Sequence, residues 1–464
     1  MTAEVSSMNL VREAFLYQNR FNAQTIVFKI EYPVTEAAGF PYLMKDIGLL
    51  AKSGIRVVIV PGAAEYIDVV LANHKRSSAF VQGERRTVHD EIPYVEMAAF
   101  HAATRFITGL SAAHVDALIG NFVRARGRGV VNGIDMENTG SVDKIFTQAL
   151  TRILDFGMVP ILPCIGWSPT GKPYNVSSNE IAVAVSAALG AIKLVIVTAG
   201  GAFTANDFTA PDSVEYSEDG RILHLSPEEA ALVLHMNEGG GGAPVATNQI
   251  LISRKPPATI KERSLEALRL ALEVSKAGVE RVHIVNGWEE GVILSELFSN
   301  FGAGTMVYAD EYEAIRGIRT SDIPDMLRLM EPLMQKGILR RRNAEDIQKK
   351  KDDFVVFVID GTVHGCAALH RWGEGQAEIA ALVAGPAYSE RGIGRRLVRY
   401  LIEKAKRAAM RRVFVLTVST QDWFETLGFS EAAVETLPDA KRKHYDYQRK
   451  SKIFALSLAP LRLD

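Results

Sequence analysis

Short apolar blocks rich in Val and Ile recur along the first two thirds of the chain, separated by longer stretches whose apolar positions fall three and four apart. The blocks predict strands at 25–30, 56–60, 115–119, 159–165, 194–198 and 281–285. The longer stretches predict helices near 41–53, 65–73, 92–109, 142–156, 179–189 and 262–277. A strand that is apolar on both faces must be covered on both faces, which is what a parallel sheet with crossover helices provides. Residues 21–308 are therefore expected to form an α/β domain, a parallel-sheet αβα sandwich.

The pattern differs outside these limits. Before them, Leu10 to Tyr17 reads as an amphipathic helix with no place in the sheet, which sets residues 1–20 apart. Within the domain, 237–257 carries four glycines at 239–242 and the pair Pro256-Pro257, so it reads as a loop. From about 309 onward the order becomes α+β with a mixed sheet: helices first, then two strands around Asp360-Gly361, a dipeptide suited to a tight hairpin turn. A strand at 377–384, a helix at 392–409, a strand at 412–417 and a last strand at 453–457 complete residues 309–464.

The run 181–203 is long enough to suggest a membrane span, but Lys193 interrupts it. Its Ala-rich first half and β-branched second half read as a buried helix followed by a buried strand. Across the 464 residues, Lys+Arg number 53 against 54 Asp+Glu, so the chain has no global bias toward nucleic acid or an acidic membrane. Cys164 and Cys366 are the only cysteines and lack metal-ligand spacing, which argues against a disulfide framework or a zinc site and fits a reducing compartment. Glu4, Arg12 and Glu13 break any secretory leader, so a cytoplasmic location is expected.

The chemistry concentrates where Ala377–Ala384 runs toward Ser389-Glu390-Arg391-Gly392-Ile393-Gly394-Arg395-Arg396. Glycines at a helix start let backbone approach phosphate oxygens, while free N–H groups and the helix dipole face the anion. Glu378 lies on the strand leading in, and a carboxylate shielded in a cleft suits general-base work.

These residues resemble the GNAT acetyltransferase family, whose acetyl-CoA signature is Q/R-x-x-G-x-G/A at a helix start; Ser389 stands at its first position. Residues 20–310 resemble the amino-acid kinase fold of N-acetylglutamate kinase, notably from Gly133 to Asp143, at Tyr174-Asn175, and from Arg281 through Glu296-Leu297-Phe298 to Gly302-Ala303-Gly304-Thr305. The combination resembles the bacterial N-acetylglutamate synthase family, at the first step of arginine biosynthesis. That resemblance implies transfer of acetyl from acetyl-CoA to the α-amine of L-glutamate, with no metal. Glu378 would be the base, and Thr417 would hydrogen-bond the departing thiolate. Acetyl-CoA would lie along Leu382, Val383, Ala384, Arg391, Gly392, Ile393, Gly394 and Arg395, with a bulge freeing an oxyanion-binding amide near Leu382 or Val383. Arg342, Lys441, Arg449 and Ser451 would hold L-glutamate. Lys193, His283, Glu296 and Gly302 would form a site for L-arginine as effector, and the helix around Phe15 and Tyr17 would interlace subunits of a homohexamer.

Where active kinases of this fold carry glycine turns, the chain has Glu31-Tyr32 and Pro61-Gly62-Ala63-Ala64, and Thr198-Ala199-Gly200 replaces an aspartate; only Lys29 survives. The resemblance therefore implies a kinase-dead regulatory domain. A bifunctional synthase and kinase, and a non-catalytic amino-acid sensor, are the alternatives at this point.

Overall fold

The structure is a computed structural model that describes residues 21–201, 203–214, 216–217, 219–238, 259–298, 302–308, 313–359, 362–385, 392–418, 421–447, 449 and 451–458. The helix expected within 1–20, the glycine loop at 239–242, the Asp360-Gly361 turn and Arg391 lie outside these residues. The chain forms two compact units, Met1–Asp310 and Glu311–Asp464.

In the first unit eight strands make one sheet: β1 (Thr25–Ile30), β2 (Arg56–Pro61), β3 (Ala117–Ile119), β4 (Val159–Ile161), β5 (Lys193–Thr198), β6 (His224–Leu225), β7 (Arg281–Asn286) and β8 (Thr305–Tyr308). Their order is β6-β8-β7-β5-β1-β2-β4-β3. It is parallel from β3 to β7, and β8 pairs antiparallel to β7. Alternation divides β1 between two cores. Ile26, Phe28 and Ile30 pack on one face, while Val27 joins Val58, Val60, Leu194, Ile196 and Ile284 on the other. The α/β sandwich expected from the continuous apolar strands is thus present, with the αβα covering that burial demands.

Two local expectations fail. The helix expected at 142–156 begins only at Thr147–Asp155, because Val142 and Ile145 belong to a strand, Thr139–Ile145, paired antiparallel with Val123–Gly127. Gly140 permits this: a Cβ there would stand 2.6 Å from the Tyr174 Cβ. The strand expected at 159–165 divides, since Pro163 has no N–H for a ladder. Its second part, Ile165–Trp167, closes a small four-stranded barrel with Pro173–Val176, Thr139–Ile145 and Val123–Gly127.

The second unit is a mixed sheet of β9 (Glu313–Gly317), β10 (Phe354–Ile359), β11 (Thr362–Gly373), β12 (Gln376–Ala384), β13 (Arg412–Thr417), β14 (Ser430–Ala432) and β15 (Lys452–Ser457). The order is β9-β10-β11-β12-β13-β15-β14. A strand, β9, precedes the helices Ile323–Gln335 and Ala344–Lys349, where helices alone were expected first. Helix Ile393–Arg407 lays Ile393, Leu397, Val398, Leu401 and Ala405 on one sheet face. Gly365 lets it approach, because a Cβ there would meet Ile393 Cγ2 at 2.9 Å and the Val383 carbonyl at 3.1 Å.

Candidate acetyl-transfer and effector sites

β12 and β13 are parallel neighbours for three pairs only, Gln376↔Arg412, Ala377↔Val413 and Glu378↔Phe414, and then part. Beyond Glu378 one edge of β12 pairs with no strand among the described residues, which leaves that edge open to a ligand. A bulge reinforces the opening. Cys366 pairs with Val383 and Ala368 with Ala380, leaving Ala381 and Leu382 opposite one residue, and Ala381 has φ +51°. The extra residue reverses the side-chain alternation. Ala377 and Ile379 face helix Ile393–Arg407, whereas Ala381 and Val383 face the opposite layer and Leu382 and Ala384 return to the helix side.

Glu378, 7% exposed, projects on the face opposite that helix. Its Oε2 accepts from Lys441 Nζ at 2.6 Å and from Trp372 Nε1 at 2.9 Å. Lys441 comes from the short helix Asp439–Arg442, and its ammonium also sits 4.9 Å from the Trp372 ring centroid. The candidate base and a candidate glutamate ligand are therefore already in contact. Arg342 belongs to the same field. Burial pulls its guanidinium below the usual arginine range, the Glu378 carboxylate acts in the opposite direction, and Arg340 and Arg449 deepen the depression. Arg449 donates through Nη2 to the carbonyls of Ile338 and, at 3.4 Å, Gly337, while its buried Nε has no partner. Ser451 is buried, and its carbonyl accepts from the Tyr445 hydroxyl at 2.6 Å. Four residues predicted to hold glutamate thus come from three separate stretches of chain. Thr417 ends β13, buried, on the alternation of Val413 and Val415, so it reaches the split from the helix side.

At the other end of the split, Gly392 stands at φ +70° as N-cap of helix Ile393–Arg407, and among the described residues no side chain caps it and nothing lies within 4 Å of where its Cβ would be. That is the open, uncapped helix start an anion needs. Arg395 is exposed in the first turn, and Ile393 is buried beneath it. Gly394 serves packing as well: a Cβ there would lie 3.3 Å from the Trp423 ring.

In the first unit the four predicted effector residues converge at one side of the sheet. His283 on β7 and Glu296 on helix Val292–Phe298 are both buried, and His283 Nδ1 meets Glu296 Oε1 at 2.6 Å. Glu296 Oε2 accepts from the amides of Ala303 at 2.6 Å and Gly304 at 2.8 Å. Gly302, at φ +57°, leaves room for that oxygen, which would lie 3.1 Å from a Cβ. Burial and the nearby Lys193 cation hold the imidazole below its usual range. Burial opposes the Glu296 charge, but the hydrogen bonds from His283, Gly304 and Ala303 outweigh it and depress its pKa. The pair is thus neutral imidazole and carboxylate, with Nδ1 donating. His283 Nε2 is left as a buried acceptor without a partner among the described residues.

A cavity of about 110 Å³ opens beside Lys29, Glu31, Gly62, Ala63, Glu65 and Arg263, where the kinase resemblance would put nucleotide phosphates. Glu31 Oε2 accepts from the Ala199 amide at 3.0 Å and Arg263 Nη1 at 3.4 Å, and the same guanidinium nitrogen reaches Glu65 Oε1 at 2.7 Å. Side chains bridge this space, two of them carboxylates that repel phosphate. Arg263, from helix Ile260–Lys276, completes the bridge and could not be found from sequence because the contact joins positions 31, 65 and 263. Trp372 was missed for a similar reason, since its contact with Glu378 depends on a slip of register between β11 and β12. Among the described residues no cluster of three metal-ligating side chains occurs, and no helix is long and apolar enough to cross a membrane.

Comparison with known proteins matches the family model of the amino acid kinase family to residues 34–219 and that of the acetyltransferase (GNAT) family to residues 323–429. An amino-acid acetyltransferase of Salmonella typhi is 31% identical over 457 residues, covering 96% of this chain and 97% of that protein. The amino-acid acetyltransferase of Escherichia coli K12 is 30% identical over the same shares. Among solved structures, N-acetylglutamate synthase from Neisseria gonorrhoeae with coenzyme A and L-arginine matches with a TM-score of 0.80 at 30% identity, over 97% of this chain and 99% of that one. The same enzyme with coenzyme A and N-acetyl-glutamate matches with a TM-score of 0.58 at 31% identity, over the same shares.

Proposed function

The chain belongs to the amino-acid acetyltransferase family, and on that premise we propose that it makes N-acetylglutamate from acetyl-CoA and L-glutamate as the first step of arginine biosynthesis, with its kinase-like unit sensing L-arginine. The observation that carries this reading is the buried Glu378 carboxylate set at the parting of β12 and β13, between a cationic cluster and an uncapped helix start.

The chemistry follows from that placement. The pyrophosphate of acetyl-CoA lies at the N-terminus around Gly392 to Arg395, and the thioester enters the split along Leu382–Ala384. L-Glutamate approaches from the opposite face, its carboxylates held by Arg342, Arg449, Lys441 and Ser451. Its α-ammonium gives a proton to Glu378. The freed lone pair attacks the thioester carbon, a C–N bond forms, and the carbonyl π electrons move onto oxygen, to which an amide N–H of the bulge near Leu382 donates a hydrogen bond. Collapse breaks the C–S bond. The thiolate leaves toward the Thr417 hydroxyl and takes the second proton from the nitrogen, which yields the neutral amide and the free coenzyme A thiol, while the proton on Glu378 is released to solvent.

In the effector site the orphaned Nε2 of His283 is an acceptor waiting for an N–H, and the remaining lone pair of Glu296 Oε1 faces the same need. A guanidinium supplies such donors, which supports L-arginine as ligand. The proposal includes a cytoplasmic location and a homohexamer, the latter readable by light scattering. Turnover of acetyl-CoA with L-glutamate, with and without L-arginine, tests the whole reading; absence of N-acetylglutamate among the products overturns it.

Two further outcomes are expected. Arg342→Lys should raise KM for L-glutamate about tenfold or more through loss of a bidentate, charge-assisted contact, leaving KM for acetyl-CoA unchanged in initial-rate kinetics. With ATP and N-acetylglutamate, a coupled assay should detect no ADP release, because the carboxylates of Glu31 and Glu65 line the space where phosphates would lie and Arg263 is committed to both. Sustained ADP release would establish the bifunctional alternative.

A further inference from the structure

Trp372 occupies an unusual place in its strand. β11 and β12 are joined by Glu374-Gly375, at φ +54° and +69°, a two-residue turn of the kind that needs left-handed backbone at both positions. Next to this turn the register slips: Arg371 pairs with Ala377 and Gly373 with Gln376, so Trp372 is the extra residue of a bulge. Bulges re-aim the side chain they carry. Here the indole is turned onto the carboxylate three positions past the turn, with Nε1 donating to Glu378 Oε2 at 2.9 Å. The ring face lies under Lys441 Nζ, 4.9 Å from the centroid, and that ammonium bonds the same Oε2 at 2.6 Å. No described residue hydrogen-bonds Oε1.

We propose that Trp372 is a positioning residue for acetyl transfer: it locks Oε2 of Glu378, directly and by holding Lys441 against it, so that Oε1 is the oxygen that takes the proton from the substrate ammonium. The inference rests on Glu378 being the base. The physical reason is rotational. A carboxylate whose two oxygens are equally free can present either, or turn away, whereas two converging donors on one oxygen fix the plane and leave the other aimed. The other groups facing Glu378 do not take this role. His370 sits opposite it on β11 with Nδ1 committed to Asp353 Oδ2 at 2.7 Å, and Arg342 acts on it through its charge.

The decisive measurement is a double-mutant cycle on the full chain with Trp372→Phe, which keeps an aromatic ring under Lys441 but removes the donor, and Glu378→Gln. Single-turnover rates at saturating acetyl-CoA and L-glutamate are read beside both KM values. Trp372→Phe alone should lower kcat about tenfold, as expected for loss of one orienting hydrogen bond to a charged group. Both KM values should stay within about twofold, and the same change in the Glu378→Gln background should cost nothing, since there is no base left to orient. Trp372→His, which restores an N–H, should recover part of the rate. Equal losses in both backgrounds, or a rise in KM without a fall in kcat, would mean that Trp372 only shapes the pocket, and would overturn the inference while leaving the function standing. Unchanged turnover in Glu378→Gln alone would overturn the base and this inference together.

Discussion

Glu378→Gln should lower kcat by about 10²–10⁴-fold, the range that a positioned general base contributes. KM for acetyl-CoA should hardly change, because Glu378 lies on the face opposite the helix that the cofactor's phosphates approach. The substitution preserves shape and the hydrogen bond from Trp372, so the fold should stand. Glutamine cannot accept the ammonium proton at neutral pH, and the Lys441 cation loses the anion it now bonds at 2.6 Å. A glutamate KM that rises or falls modestly is compatible with this release of Lys441, but a kcat near wild type is not. Raising the pH, which supplies more free amine from solution, should recover part of the lost rate, as expected when the missing function is proton removal.

Glu296→Ala should destabilise the kinase-like unit by roughly 3–5 kcal/mol, since three donors lose their acceptor at once and each buried donor left unmet costs on the order of 1–3 kcal/mol. Those donors are His283 Nδ1 and the amides of Ala303 and Gly304. The response to L-arginine should vanish with them. Denaturant unfolding of the full chain, read as the loss of a first transition relative to wild type, checks the stability; a loss below about 1 kcal/mol would mean that water replaces the carboxylate freely. The same pair sets a pH dependence. His283 has a folded pKa below its ordinary 6.5, so its contribution is complete above pH 6.5 and is lost as the pH falls through the depressed folded value. Glu296 likewise has a folded pKa below its ordinary 4.5, so its contribution is complete above about 4.5 and disappears below it. Both act in one direction. The wild-type unit should weaken as the pH drops below 6.5 and more steeply below 4.5, and Glu296→Ala should flatten the second part of that curve.

The contrast between Glu378 and Trp372 shows what could be read from residues in order. Glu378 stands out in Ala377–Ala384 as the one charge in an otherwise apolar strand, so a buried carboxylate was legible without a structure. Trp372 carries no such mark. Its role depends on a slip of register, and the only nearby signal is the Glu374-Gly375 dipeptide, which announces a turn but not the bulge beside it. The strand Thr139–Ile145 was hidden for a related reason. Its apolar spacing fits a helix equally well, and what settles the matter is Tyr174, which needs the bare Gly140.

Local pattern indicated most of the long sheet strands with their covering helices and the types of residue available for chemistry, because continuous apolar strands and glycine turns depend on neighbours in sequence and on burial alone. Which groups touch was settled by folding. That Lys441 bonds Glu378 across 63 positions, that Arg263 bridges Glu31 and Glu65, and that His283 Nε2 has no partner among the described residues are facts of three-dimensional closure. Sequence order says nothing about the few tenths of an ångström in which a hydrogen bond forms or fails. Those distances turn a list of plausible residues into a candidate base with one committed oxygen.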